Sequence, residues 1–128
     1  MTDSREIKGT EFDWFATDQE GRVALFATAG SGPVPTSVLA LVEAHGSVGD
    51  SLEIEGWGTK SVWDSYARVG LYAYDWSPSQ GLYLRQAEPA TPLAKNVATA
   101  VSSIRNVPRL ALLFSQATAI GPEWQDGT

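Results

Sequence analysis

The chain has 128 residues, of which 43% are hydrophobic and 19% charged, with five Trp, four Tyr, four Phe, no Cys, and a net charge of -6 from 15 acidic against nine basic residues. Such a length suits one domain, residues 1–128, with residues 1–10 as a polar, flexible lead-in, and the missing Cys excludes disulfides, a thiolate nucleophile, Cys-ligated zinc and iron–sulfur centres. The acidic balance disfavours a nucleic-acid binder, no run approaches the roughly 20 apolar residues that cross a bilayer, and MTDSREIKGTEF has no apolar signal region, so the expected location is the cytoplasm, away from membranes.

The first element is a β-hairpin. In EFDWFATDQEGRVALFATAG, Phe12, Trp14 and Ala16 alternate with Asp13, Phe15 and Thr17, and the run Arg22 to Thr28 returns. The turn between them is written in its residues, since Asp18 can accept main-chain amides ahead of it and Gly21 can take a positive φ. Gly30-Ser31-Gly32-Pro33 then reads as a loop, and Pro35 or Thr36 opens a helix to about His45. Val38, Leu39, Leu41 and Val42 form its stripe, Gly46 is the expected stop, and His45 is expected to cap the last turn as an imidazolium.

Residues 47–58 alternate weakly and read as a short edge strand or an ordered loop. Ser61 with Asp64 three positions on predicts a capping box, followed by a helix that ends at Gly70. Leu71 to Trp76 and Leu82 to Ala87, around Ser77-Pro78-Ser79-Gln80-Gly81, give a second hairpin. Thr91-Pro92 predicts the start of a third helix, with Leu93, Val97, Val101 and Ile104 on one face. After Pro108, Leu110 to Phe114 (LALLF) reads as a strand covered on both faces, and residues 119–124 are expected to fold back over an edge. The fold class is therefore α+β, a single domain with a mainly antiparallel sheet built from two hairpins plus a buried late strand, and about three helices.

Reactive chemistry is sparse. His45 is the only imidazole, no Gly-x-Ser-x-Gly elbow is present, and Gly30-Ser31-Gly32 lacks the Gly-Lys-Ser/Thr of a phosphate loop. Counting excludes an imidazole-based metal site, so no metal and no cofactor are expected. Glu11, Asp13, Asp64 and Asp75 lie near aromatic residues and leave a carboxylate-based hydrolase acting on a carbohydrate or small molecule as the alternative function. Tyr72, Tyr74 and Trp76 form either a core face or a recognition platform.

The pattern Asp13-Trp14-Phe15-Ala16-Thr17-Asp18-x-x-Gly21-x-Val23-Ala24-x-Phe26, with Ala29-Gly30-x-Gly32-Pro33-Val34-Pro35 and Gly70-Leu71-Tyr72-x-Tyr74-Asp75, resembles small uncharacterised bacterial proteins with a DWFAxDxxGxVAxF hairpin. Some of these resemble toxin-immunity proteins. The resemblance covers about a third of the chain, brings no catalytic residues, and implies a non-enzymatic domain that binds another protein, such as a basic toxin domain. The candidate binding residues are Asp50, Glu53, Glu55 and Trp57, an acidic run beside an aromatic ring.

Overall fold

The computed structural model describes residues 13–52 and 60–122. In chain order these form β1 (Asp13–Thr17), β2 (Val23–Ala27), α1 (Thr36–Leu39), α2 (Val42–Ser51), α3 (Val62–Arg68), β3 (Tyr72–Ser77), β4 (Leu82–Ala87), α4 (Lys95–Ser102) and β5 (Ala119–Ile120). The strands make one five-stranded sheet in the order β1-β2-β3-β4-β5. Only β2 and β3 pair in parallel, because α1, α2 and α3 intervene between them; the other pairings are antiparallel. The class is α+β, with four helices among the described residues where the sequence predicts about three. No helix among the described residues is long and apolar enough to cross a membrane.

Both faces of the sheet are covered, which is why Trp14, Phe15 and Ala16 are all fully buried even though they alternate in direction. On one face, Phe15, Leu25, Leu71 and Ala73 meet α2, α3 and α4 through Val48, Val62, Tyr66, Val97 and Val101. The other face is aromatic and is covered by the short helix α1 and by the loop after Pro108: Trp14, Phe26, Tyr74 and Tyr83 pack beneath Val38, Leu110 and Phe114. Trp14, Phe26 and Tyr74 sit at matched positions on three neighbouring strands. Their rings stack at 4.2 Å and 5.0 Å, and Tyr83 stands edge-on to Phe26 at 5.2 Å. Cross-strand aromatic contacts of this kind add to what burial alone supplies.

Local chemistry explains the turns. Gly21 takes φ 79, and Asp18 Oδ1 accepts the amides of Glu20 and Arg22, each at 2.9 Å. At the end of α3, Gly70 (φ 87) donates to the Ala67 carbonyl and Leu71 to that of Tyr66, a paired closure that needs a left-handed residue.

Several sequence expectations are corrected. The helix predicted over 36–45 is interrupted at Leu41 (φ -130, ψ 32), and α2 runs on through Gly46 and Gly49 to Ser51. Glycine is a poor helix former, but His45 and Val48 are buried against the sheet, and this packing outweighs a local cost of about 1 kcal/mol per glycine. Residues 47–51 are accordingly helical and not an edge strand. Ser61 makes no side-chain cap, because it is already helical at φ -69, ψ -9, whereas a capping residue is extended. The fourth helix starts at Lys95, not at Thr91-Pro92. Residues 90–94 are instead tied to the end of α3, with Thr91 Oγ1 donating to the Arg68 carbonyl and Ala94 N–H to that of Val69.

The LALLF run is not a strand. Leu110 and Phe114 are buried, Ala111 is exposed, and Gln116 and Ala117 both donate to the Leu113 carbonyl in a turn. The segment makes one parallel bridge, Arg109 to Thr17, and then crosses the aromatic face. The late strand is β5, which pairs Ile120 with Tyr83 on the opposite border of the sheet.

Candidate functional site

A half-open cleft of about 450 Å³ lies between the β1–β2 turn and the segment that leads into α4. Glu20 and Arg22 come from the turn, Tyr72 from the start of β3, and Pro89, Pro92 and Leu93 from the far wall. Gly70 belongs to the same lining and approaches the Leu93 backbone closely: a Cβ there would stand 2.5 Å from the Leu93 Cα. Among the described residues, Glu20 is the one carboxylate on this cleft, and its Oε1 lies 3.4 Å from Arg22 Nε, with both side chains about half exposed. An exposed pair of this type is worth at most about 1 kcal/mol and gives the cleft a polar lip. Two-carboxylate hydrolysis needs a second acid on the far side of the scissile bond. Asp13, Asp64 and Asp75 do not line the cleft, and Glu11 lies outside the described residues.

Those carboxylates have separate surroundings. Asp13 accepts a hydrogen bond from the Tyr66 hydroxyl, which burial, first, and the Asp13 charge, second, hold well above the ordinary phenol range. Asp64 is exposed in the first turn of α3, where a negative charge suits the helix dipole. Asp75 is half-buried on β3. Of the predicted binding residues, Asp50 is exposed in the last turn of α2 and is not on the cleft. Glu53, Glu55 and Trp57 lie outside the described residues.

Several polar groups inside the fold bond the main chain. Asp18, fully buried, adds the Phe114 amide at 2.9 Å to the two amides of its own turn. Tyr74 donates to the Ala117 carbonyl at 2.5 Å, and Arg85 Nη1 to the Phe114 carbonyl at 2.7 Å. Trp14 Nε1 donates to the Tyr83 oxygen at 3.2 Å, and Tyr83 in turn donates to the Pro33 carbonyl at 2.8 Å. Burial raises the Tyr74 and Tyr83 hydroxyls far above the usual phenol range, so both remain protonated donors. The Gly30-Ser31-Gly32 loop follows from this network: a Cβ on Gly32 would stand 2.5 Å from the Tyr83 hydroxyl. Tyr72 and Tyr74 belong to the core and Trp76 packs against it, so the aromatic stripe is a core face.

His45 is the clearest correction. It is fully buried in the middle of α2, and its Nδ1 accepts the Phe15 main-chain amide at 3.0 Å. Burial lowers its pKa from 6.5 to about 4, so the ring is neutral at pH 7 and is not the cationic cap the sequence suggests. The signal that could have found it is the spacing from Leu41 and Val48, which puts His45 on the apolar face once α2 is allowed to pass Gly46. Among the described residues, no group of three or more His, Asp or Glu is placed to hold a metal ion.

Comparison with protein-family models, with curated proteins and with solved structures finds no match for the chain.

Proposed function

We propose that the chain acts by binding another protein, as a non-enzymatic cytoplasmic domain with a basic partner, in the manner of an immunity-type inhibitor. The observation that supports this most is that Asp18, His45, Tyr74 and Tyr83, all buried, bond the main chain and do not line the cleft. Charge supports the partner's sign. Acidic and basic residues nearly balance over 13–52 and 60–122, so most of the -6 excess lies in 1–12, 53–59 and 123–128. Asp50, Glu53 and Glu55 form a short acidic run of the kind that steers a basic surface by long-range attraction. The immunity-type form rests on the hairpin resemblance alone.

Two immobilised baits test the proposal in an extract of the organism that makes the chain: the wild type, and a variant carrying Asp50→Lys, Glu53→Lys and Glu55→Lys. The expected result is a basic protein retained by the first and lost from the second, and re-bound when the two purified proteins are mixed. Retention of an oligosaccharide in place of a protein, with its turnover abolished by Glu20→Gln, would overturn the reading in favour of the cleft.

A further inference from the structure

Strand β1 is the border of the sheet, and its outward main-chain groups are not left to solvent. Thr17 donates to the Pro108 carbonyl at 2.9 Å and accepts from Leu110 N–H at 2.8 Å. Two residues earlier, on the same outward side, the Phe15 amide donates to a side chain, His45 Nδ1. An imidazole that accepts at Nδ1 carries its proton on Nε2, and that nitrogen is buried with no hydrogen-bond partner among the described residues. The Phe15 and His45 rings lie nearly parallel, 6.3 Å apart. One end of the ring thus holds a strand amide, and the other end is buried.

We propose that His45 is an acid-sensitive latch that fastens α2 to the outer edge of β1, and that protonation at Nδ1 releases the Phe15 amide and lets the helix lift locally while the rest of the sheet stays folded. The chemistry is direct, since a protonated Nδ1 is a donor facing another donor, and an imidazolium in this site is a buried cation. Among the described residues, the acidic side chains of α2 itself, Glu43 and Asp50, are exposed. On β1, Asp13 faces the same side of α2, with Oδ2 4.0 Å from the position of a Cβ on Gly49, and its carboxylate also accepts from Tyr66 of α3; burial, not this charge, sets the direction of the His45 shift. α1 and β2 contain no titratable residue, and on α4 the one charged residue, Lys95, is exposed.

The sign is set by burial. With the folded pKa lowered from 6.5 to about 4, the closed latch is at full strength above 6.5 and weakens as pH falls from 6.5 towards about 4. Thr17 is the internal control, because its amide lies on the same edge but bonds to a carbonyl that does not titrate in this range.

Amide hydrogen exchange of the wild-type chain, followed by NMR between pH 7 and pH 4 and corrected for intrinsic rates, tests the latch. The Phe15 amide is expected to lose protection by about 100-fold between pH 7 and pH 4, the change that follows when the ring titrates at 6.5 in the open form and at about 4 in the closed one, while Thr17 keeps its protection. His45→Gln, whose amide oxygen can accept the same hydrogen bond without titrating, is expected to remove the pH dependence at Phe15. Unchanged protection at Phe15 would overturn the proposal. So would a parallel loss at Phe15 and Thr17, which would mean global unfolding, or a His45→Gln chain that keeps the wild-type pH profile. If His45→Gln does not fold, the wild-type comparison of the two amides decides alone.

Discussion

The carboxylate of Asp18 and the main-chain amide of Phe114, 96 residues apart in the chain, meet at 2.9 Å. One buried side chain therefore holds its own turn closed and also fixes the late loop over the aromatic face. Removing it exposes the cost of several unpaired amides at once, and hydrogen bonds to a charged acceptor are worth about 1.5–3 kcal/mol each. Asp18→Ala is expected to lower stability by at least about 3 kcal/mol in urea unfolding, and Asp18→Asn by less, because one carbonyl oxygen survives. A loss below about 0.5 kcal/mol for Asp18→Ala would show that these bonds do not form together.

Two glycines with similar backbones should respond differently. Gly21 and Gly70 both have positive φ, 79 and 87, but a Cβ on Gly21 meets nothing within 4 Å, whereas one on Gly70 collides with the backbone of Leu93 at 2.5 Å. Gly21→Ala is expected to cost about 1 kcal/mol of conformational strain. Gly70→Ala pays the same strain and must also push the 92–93 segment away from the end of α3, so its melting temperature should fall clearly further. Equal melting temperatures for the two variants would contradict the close packing at Gly70.

In the LALLF run the burden falls on Phe114, which is fully buried, and not on Leu112, which is half-buried. Phe114→Ala should cost about 3–5 kcal/mol as its contacts with Tyr72, Tyr74 and Phe26 are lost. Leu112→Ala should cost roughly 1 kcal/mol, well below the 2–5 kcal/mol of a buried strand position. The reverse order would restore the strand that the sequence suggests.

For the proposed partner, association should slow as salt rises while dissociation changes less, because attraction between exposed charges is screened beyond roughly 8–10 Å at physiological ionic strength. Reversal of Asp50, Glu53 and Glu55 should mimic high salt. Surface-binding kinetics with the captured protein would show it, and an association rate indifferent to both changes would discard steering through this segment.

What the residues announce in advance are features set by near neighbours. Both hairpins, the Asp18–Gly21 turn and the stop at Gly70 depend on contacts or backbone angles within a few positions, and each is found; Leu93, Val97, Val101 and Ile104 do join one cluster, but only Val97 and Val101 lie on α4. Apart from Ser61, whose own backbone angles rule out the cap, the misreadings involve partners farther along the chain. Gly46 would end a helix in isolation, yet α2 continues because its far half is held to β1. His45 looks like an end cap until the Phe15 amide, 30 residues earlier, is seen to need an acceptor. LALLF has the composition of an inner strand, and Leu110 and Phe114 are indeed buried, but by lying across a sheet face instead of joining it. The functional candidates were the least legible. Asp50 and the cleft are separate, and nothing local distinguishes Glu20 and Arg22 from any solvated turn.

The ties between the first hairpin and the end of the chain also set when the protein can fold during synthesis. Gln19 accepts from Arg109, 90 residues later, and Trp14 donates to Tyr83, 69 residues later, so the hairpin leaves the ribosome with its partners still unmade. At about 5–20 residues per second, the wait for Phe114 is on the order of ten seconds, during which the Trp14 and Phe26 rings and the border strand are uncovered. A nascent chain stalled before that point is a client for chaperones, and a protein cut short there is an unfinished sheet and not a smaller domain.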